Sequence, residues 1–253
     1  MIFLTDLQLI FTGMLFETLV ILIASIILIL IFLKYLEKRQ RMTLVLFFIF
    51  VFFVFAIVFS WLSKVIRLYG GLNYIIDNEL PDPLTIESYF VLRIVEFRFA
   101  FIFIIISLAF SYVLKVGVYQ KEYDHKEKLF VIVYGVLAIF YQFFLFTRGV
   151  LILDLIAFMI VTFYMIFIYI PFFKHSVKNY RSVDDPVYKK GFLSLAIMAL
   201  SLTLILVCQL IDRVFVIALD IIGYTPFYFA GWTFALIALF GAYFGYIRPK
   251  SKE

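Results

Sequence analysis

Nine side chains in this sequence have the types and spacing to act together at one level: Glu17, Arg93, Glu96, Arg98 and Arg148, then Asp154, Gln209, Asp212 and Arg213. They are carboxylates, guanidiniums and one amide, a set that forms ion pairs and holds anions through charge-assisted hydrogen bonds. It is a poor set for breaking bonds. The two histidines, His125 and His175, each stand beside a lysine in polar stretches far from these residues. HExxH, GxSxG and glycine-rich phosphate loops are absent, and Cys208 is the single cysteine, so neither an internal disulfide nor a cysteine metal cluster is available. Asp184 and Asp185 precede Pro186 and read as a helix cap. The sequence therefore predicts no enzyme, no cofactor and no metal.

The elements that must position these residues are apolar. Hydrophobic residues make up 66% of the 253 and charged ones 15%, the composition of a protein dissolved in lipid. Runs of about 20 apolar residues fall near 11–33, 42–63, 91–114, 129–147, 150–173, 191–219 and 224–247. The expected fold is all-α: one polytopic membrane domain, 1–253, built as a seven-helix bundle. The first run is too long, and its flank too poor in positive charge, for a cleaved signal peptide. Of the 22 Lys and Arg, 16 flank the spans on one side, in 34–41, 115–128, 174–190 and the tail from Arg248. Such asymmetry predicts a cytoplasmic basic side, with the N-terminus outside and the C-terminus inside a cell membrane. The net charge of +5 then reflects topology and contact with anionic lipid, not a nucleic-acid surface.

On the other side, the segment Tyr69–Glu87 carries Gly70-Gly71, Pro81 and Pro83 and reads as a cap or a solvated loop. The two tight turns there lie near Arg148 and Asp220. No internal repeat is visible. The seventh span has no lysine, which excludes a retinal Schiff base. Its Gly241 and Gly245 have the small-xxx-small spacing of close helix packing, expected here within the bundle.

Depth and face narrow the chemistry. At about 1.5 Å per residue, Glu17 and Arg98 each lie roughly 25 Å from the basic flank, with Glu96 slightly further out. Arg93 and Glu96 are about 60° apart on a continuous helix and are expected to pair, while Arg98 points about 160° away from Glu96. The third span thus needs neighbours on opposite sides, as a central helix has. Glu17 is the expected partner of Arg98, and Asp154 that of Arg148 or Arg213. Ser194, Ser201, Cys208, Gln209 and Asp212 form a polar stripe on the sixth span, which faces the bundle interior or a cavity. Gln142 adds a donor and an acceptor at similar depth. With Lys64 and Arg67 the layer is positive on balance, which suits an anionic ligand. The alternative is an ion-pair network that only fixes helix register.

The pattern of a first span ending in Lys34-Tyr-Leu-Glu-Lys-Arg-Gln-Arg41, Trp61 near the outer end of the second span and a basic loop before the sixth resembles the seven-helix membrane regions that precede prokaryotic sensor histidine kinases and cyclases. The resemblance implies a sensing module that acts on a separate partner, through 115–128 and 174–190. The expected function is that of a receptor-like membrane protein with a charged outer pocket. A transporter or a structural subunit of a membrane complex remains the alternative.

Overall fold

Among the described residues the chain forms eight α-helices: α1 (Asp6–Lys38), α2 (Arg41–Tyr69), α3 (Ile86–Val95), α4 (Arg98–Tyr119), α5 (His125–Phe144), α6 (Leu151–Ser182), α7 (Pro186–Leu219) and α8 (Pro226–Ala242). A π-helical turn, Tyr243–Ile247, completes the last span. The computed structural model describes residues 6–70, 85–119, 122–145, 151–219, 221 and 223–247, and no strand occurs among them. Arg148, Asp220 and most of the connection after Gly70 lie outside the described residues. Seven helices are long and apolar enough to cross a membrane, as expected for a seven-span bundle.

Most helices run beyond the apolar stretches that marked them. The connection expected at 174–190 shrinks to 183–185, because α6 continues to Ser182 and α7 begins at Pro186. Likewise 115–119 belongs to α4. Hydropathy marks the thickness of hydrocarbon, whereas a helix ends only at a cap or a breaker, and Lys, Arg and Tyr extend it into the headgroup layer. The cap expected at Asp185 is present, and Asp124 supplies a second. Asp185 accepts from Val187 N–H at 2.7 Å ahead of α7, and Asp124 from Lys126 N–H at 2.9 Å ahead of α5. Lys115 sits among the basic-side charges but is buried, paired with Glu127 and 5.0 Å from the Tyr112 ring.

The helices close into a ring. α1 packs on α2, α2 on α4, α4 on α6, α6 on α7, α7 on α8, and α8 returns to α1, while α5 leans against α4 and α6. The third span therefore does lie between neighbours, α2 on one side and α5 and α6 on the other. Outward-facing apolar side chains such as Leu22, Ile26 and Ile29 on α1, and Leu129, Val136 and Leu137 on α5, are more than half exposed, as lipid contact requires. At the basic end the ring is filled. Tyr169 and Ser111 share a hydrogen bond of 2.7 Å, Ser107 donates to the Ile49 carbonyl at 2.9 Å, and Phe50, Tyr112 and Phe172 are buried around them.

Gly241 and Gly245 of the last span face α7. A Cβ on Gly241 would stand 3.0 Å from the Ser194 carbonyl oxygen and 3.1 Å from the Met198 nitrogen, and one on Gly245 would stand 3.1 Å from the Gly191 carbonyl. The small-xxx-small pair thus packs inside the bundle, against backbone that cannot yield. Gly241→Ile is expected to force α8 from α7 and to lower stability by about 2 kcal/mol or more. Unfolding in mixed micelles measures this, and an unchanged midpoint would exclude the close contact.

Candidate functional site

At the end of the bundle opposite the basic flanks, called the distal end below, the third span breaks. α3 ends at Glu96 (φ −94°, ψ 23°), Phe97 adopts φ 61°, and α4 starts at Arg98. The break leaves the Val95 carbonyl available, and Arg67 Nη2 donates to it at 3.1 Å. A kink held by a side chain inserted at a freed carbonyl needs neither glycine nor proline. The sequence Ile94-Val95-Glu96-Phe97-Arg98 accordingly gives no sign of it. A left-handed phenylalanine costs about 1–2 kcal/mol, and what it gains is a position for its ring. The ring lies 5.0 Å from Lys64 Nζ, 5.9 Å from Arg67 Cζ and 5.3 Å from Arg213 Cζ. All three are within cation–π range.

The break also changes the expected pairs. Arg93 and Glu96 do not form an ion pair: Arg93 Nε donates to the Phe143 carbonyl at 2.7 Å and Nη1 to the Tyr89 carbonyl at 3.0 Å, with the guanidinium stacked on the Tyr89 ring at 3.3 Å. Glu96 instead turns to α2 and approaches Arg67 at 3.5 Å. Arg98, fully buried, faces the other way and bonds Asp154 on α6 at 2.6 Å and Gln142 on α5 at 3.1 Å. The opposed directions of Glu96 and Arg98 hold. The phase argument behind them does not, because no continuous helix joins the two.

Glu17 does not meet Arg98. α1 packs on α2 and α8, so its carboxylate finds Lys64 Nζ at 2.9 Å, Ser60 Oγ at 2.7 Å and Tyr228 Oη at 2.8 Å, all on Oε1. Glu17 and Lys64 are both completely buried. Ser60, Lys64 and Arg67 stand at i, i+4 and i+7 of α2, one face of a helix, and that spacing was the available signal for this cluster. Asp154 belongs with Arg98, not with Arg213. Two charged clasps result: Glu17–Lys64 joins α1, α2 and α8, and Arg98–Asp154–Gln142 joins α4, α5 and α6.

Between the clasps the ring holds a cavity open at one end, with about 70 Å³ open to the centre of a water-sized sphere. Arg67, Gln209, Asp212 and Arg213 line it among the polar groups; Phe97, Phe101, Phe158, Tyr224, Tyr228 and Trp232 give it aromatic walls. Of the nine residues expected from sequence, Gln209, Asp212 and Arg213 reach the cavity. Glu17, Arg93, Glu96, Arg98 and Asp154 do not line it. Arg148 lies outside the described residues.

Most of the cavity's polar atoms already have partners. Asp212 Oδ1 accepts from the Thr225 N–H at 2.8 Å and from Thr225 Oγ1 at 2.6 Å, which fixes the turn Gly223 (φ 89°), Tyr224 (φ 59°), Thr225 ahead of Pro226 and α8. Gln209 Nε2 reaches the Tyr228 carbonyl at 3.4 Å, and Tyr228 directs its hydroxyl to Glu17. Arg213 differs. Among the described residues no carboxylate lies within ion-pair distance of it, and its guanidinium rests 5.3 Å from both the Phe97 and the Phe158 ring centres. Such a site can hold an anion and bury an apolar body; no group of three potential metal ligands is found among the described residues.

The fold defines a multi-pass α-helical membrane protein. Comparison of the chain with known protein families, with curated proteins and with solved structures gives no match.

Proposed function

We propose that this chain is a receptor-like protein of the cell membrane, which binds an anionic ligand in the distal cavity and acts on a separate partner at its basic end. The observation that carries the reading is Arg213: a guanidinium lining an enclosed cavity, held by aromatic rings and lacking a carboxylate partner among the described residues. An apolar pocket with a few polar groups at one end is the usual form of a small-molecule site. Strain supports the same place. Two of the three non-glycine residues with positive φ, Phe97 and Tyr224, line the cavity, and residues held in strained conformations cluster at functional sites. The excess of Lys and Arg at the opposite end supports an extracytoplasmic position for the cavity. The partner surface would be the exposed basic helix ends around 174–190, where Lys174, Lys178, Arg181 and Lys190 face outward.

A permeation pathway is the second reading, and the broken third span favours it. The filled basic half of the ring, with Phe50, Tyr112 and Phe172 buried, opposes it. Spin labels at positions 38 and 178, on the protein in nanodiscs, distinguish the two. Binding of an organic carboxylate such as benzoate or dodecanoate is expected to shift the distance between labels, with no flux of that anion in proteoliposomes. Flux without a distance change would assign transport, and neither response would leave a structural subunit.

A further inference from the structure

The cavity is graded along its length. Its charged groups, Arg67, Asp212 and Arg213, stand at the distal mouth and sum to one positive charge, whereas its floor is made by Phe53, Ile57, Ile104 and Ile205. From Arg213 to Ile205 along α7 is eight residues, about 12 Å. Of the polar groups between mouth and floor, Gln209 and Trp232 line the space, the indole Nε1 without a hydrogen-bond partner among the described residues, while others are taken up by the protein itself. Ser60 Oγ and the Tyr228 hydroxyl both donate to Glu17. Asp212 is engaged by Thr225. What faces the interior below the mouth is therefore mainly ring and aliphatic surface, which gains about 25 cal/mol for each Å² it hides from water. A small hydrophilic anion would satisfy the mouth and leave that surface wet. An uncharged hydrocarbon would fill the floor and leave a desolvated guanidinium without a counter-charge, which is costly.

From this gradient we propose that the occupant is a single-chain amphiphile with one anionic head, of the fatty-carboxylate type, its head on Arg213 and Arg67 and its chain running about 10 Å towards Ile205. The inference rests on the ligand-binding reading above and narrows it to one ligand class. With about 70 Å³ open to the centre of a water-sized sphere, the cavity is too narrow for the two chains of a phospholipid. The same anionic head is available from either source, so the experiment must tell them apart.

Trp232 lines the cavity and the chain has one other tryptophan, Trp61. In a Trp61→Phe background Trp232 is therefore the sole indole reporter. The protein in phosphatidylcholine nanodiscs is titrated with a chain-brominated twelve-carbon carboxylate, with its methyl ester and with the trimethylammonium analogue of the same chain. Saturable quenching of Trp232 by the carboxylate is expected, at a concentration at least about tenfold below that needed for the ester or the cation. Arg213→Gln is expected to remove that preference; Arg213→Lys, which keeps the charge, is expected to retain part of it. Equal quenching by all three probes, or a preference unchanged in Arg213→Gln, would overturn the proposal, because partition into lipid alone produces both. Displacement of the probe by phosphatidylglycerol in the disc would overturn it in favour of a two-chain lipid. Protection of Trp232 from aqueous quenchers by benzoate, without competition from the twelve-carbon chain, would overturn the amphiphile while leaving an anion site intact. Absence of any saturable effect from every probe would remove the site itself.

Discussion

Lys64→Met is expected to destabilise the bundle by about 3–5 kcal/mol, the cost of leaving a buried carboxylate without its counter-charge. Lys64 and Glu17 are both fully buried, and among the described residues Glu17 Oε2 has no hydrogen-bond partner, so Oε1 alone receives Lys64, Ser60 and Tyr228. Two hydroxyl donors do not neutralise a carboxylate. Glu17→Leu is expected to lose a similar amount, because it strands the ammonium between the Phe97, Tyr224 and Tyr228 rings, 5.0–5.9 Å away. Combining the two should recover most of the loss, since a buried ion pair replaced by apolar groups of like volume is often close to neutral. Reversible unfolding in mixed micelles gives the cycle. A double-mutant loss equal to the sum of the single losses would show that the two side chains are not a pair.

Arg98→Met comes second, with an expected loss of about 2–3 kcal/mol. It removes the donor to Asp154 and to Gln142 Oε1. The smaller figure follows from exposure: the Asp154 side chain keeps 18% of its surface open, so water partly replaces the guanidinium, which Glu17 does not permit. The two changes should also act in different places. Arg98 joins α4 to α5 and α6, so its loss should release α5, whose outer face is lipid-exposed. The Lys64 change should release α1. Amide exchange resolved by helix measures this; protection lost equally from α1 and α5 in both variants would contradict two separate clasps.

The two clasps show where one chain is enough and where it is not. That Glu17 and Arg98 are ionisable groups too deep to be left unpaired follows from their distance to the basic flanks, and both are fully buried. Which opposite charge each one meets does not follow, because depth alone fits several partners. Glu17 goes to Lys64 because α1 neighbours α2 and α8, and Arg98 to Asp154 because α4 neighbours α6. Arg67 was visible in the same way, in register with Ser60 and Lys64 on one face of α2. Its role in capping Val95 depends on a break that no glycine or proline announces.

By itself, then, the sequence determined what a lipid solvent dictates: seven apolar helices, the polar stripe of α7, the cap at Asp185 and the gathering of charge at one level. Those features are local or periodic, set by about 20 residues of hydrocarbon thickness and by 3.6 residues per turn. The tertiary structure alone decided the neighbours, and with them the ion pairs, the left-handed turn at Phe97 and the cavity between the clasps. The physical reason is that a charge at a given depth can be satisfied by any opposite charge the packing brings within about 4 Å, and packing in lipid follows close approach of small residues and side-chain shape, which a linear pattern does not encode.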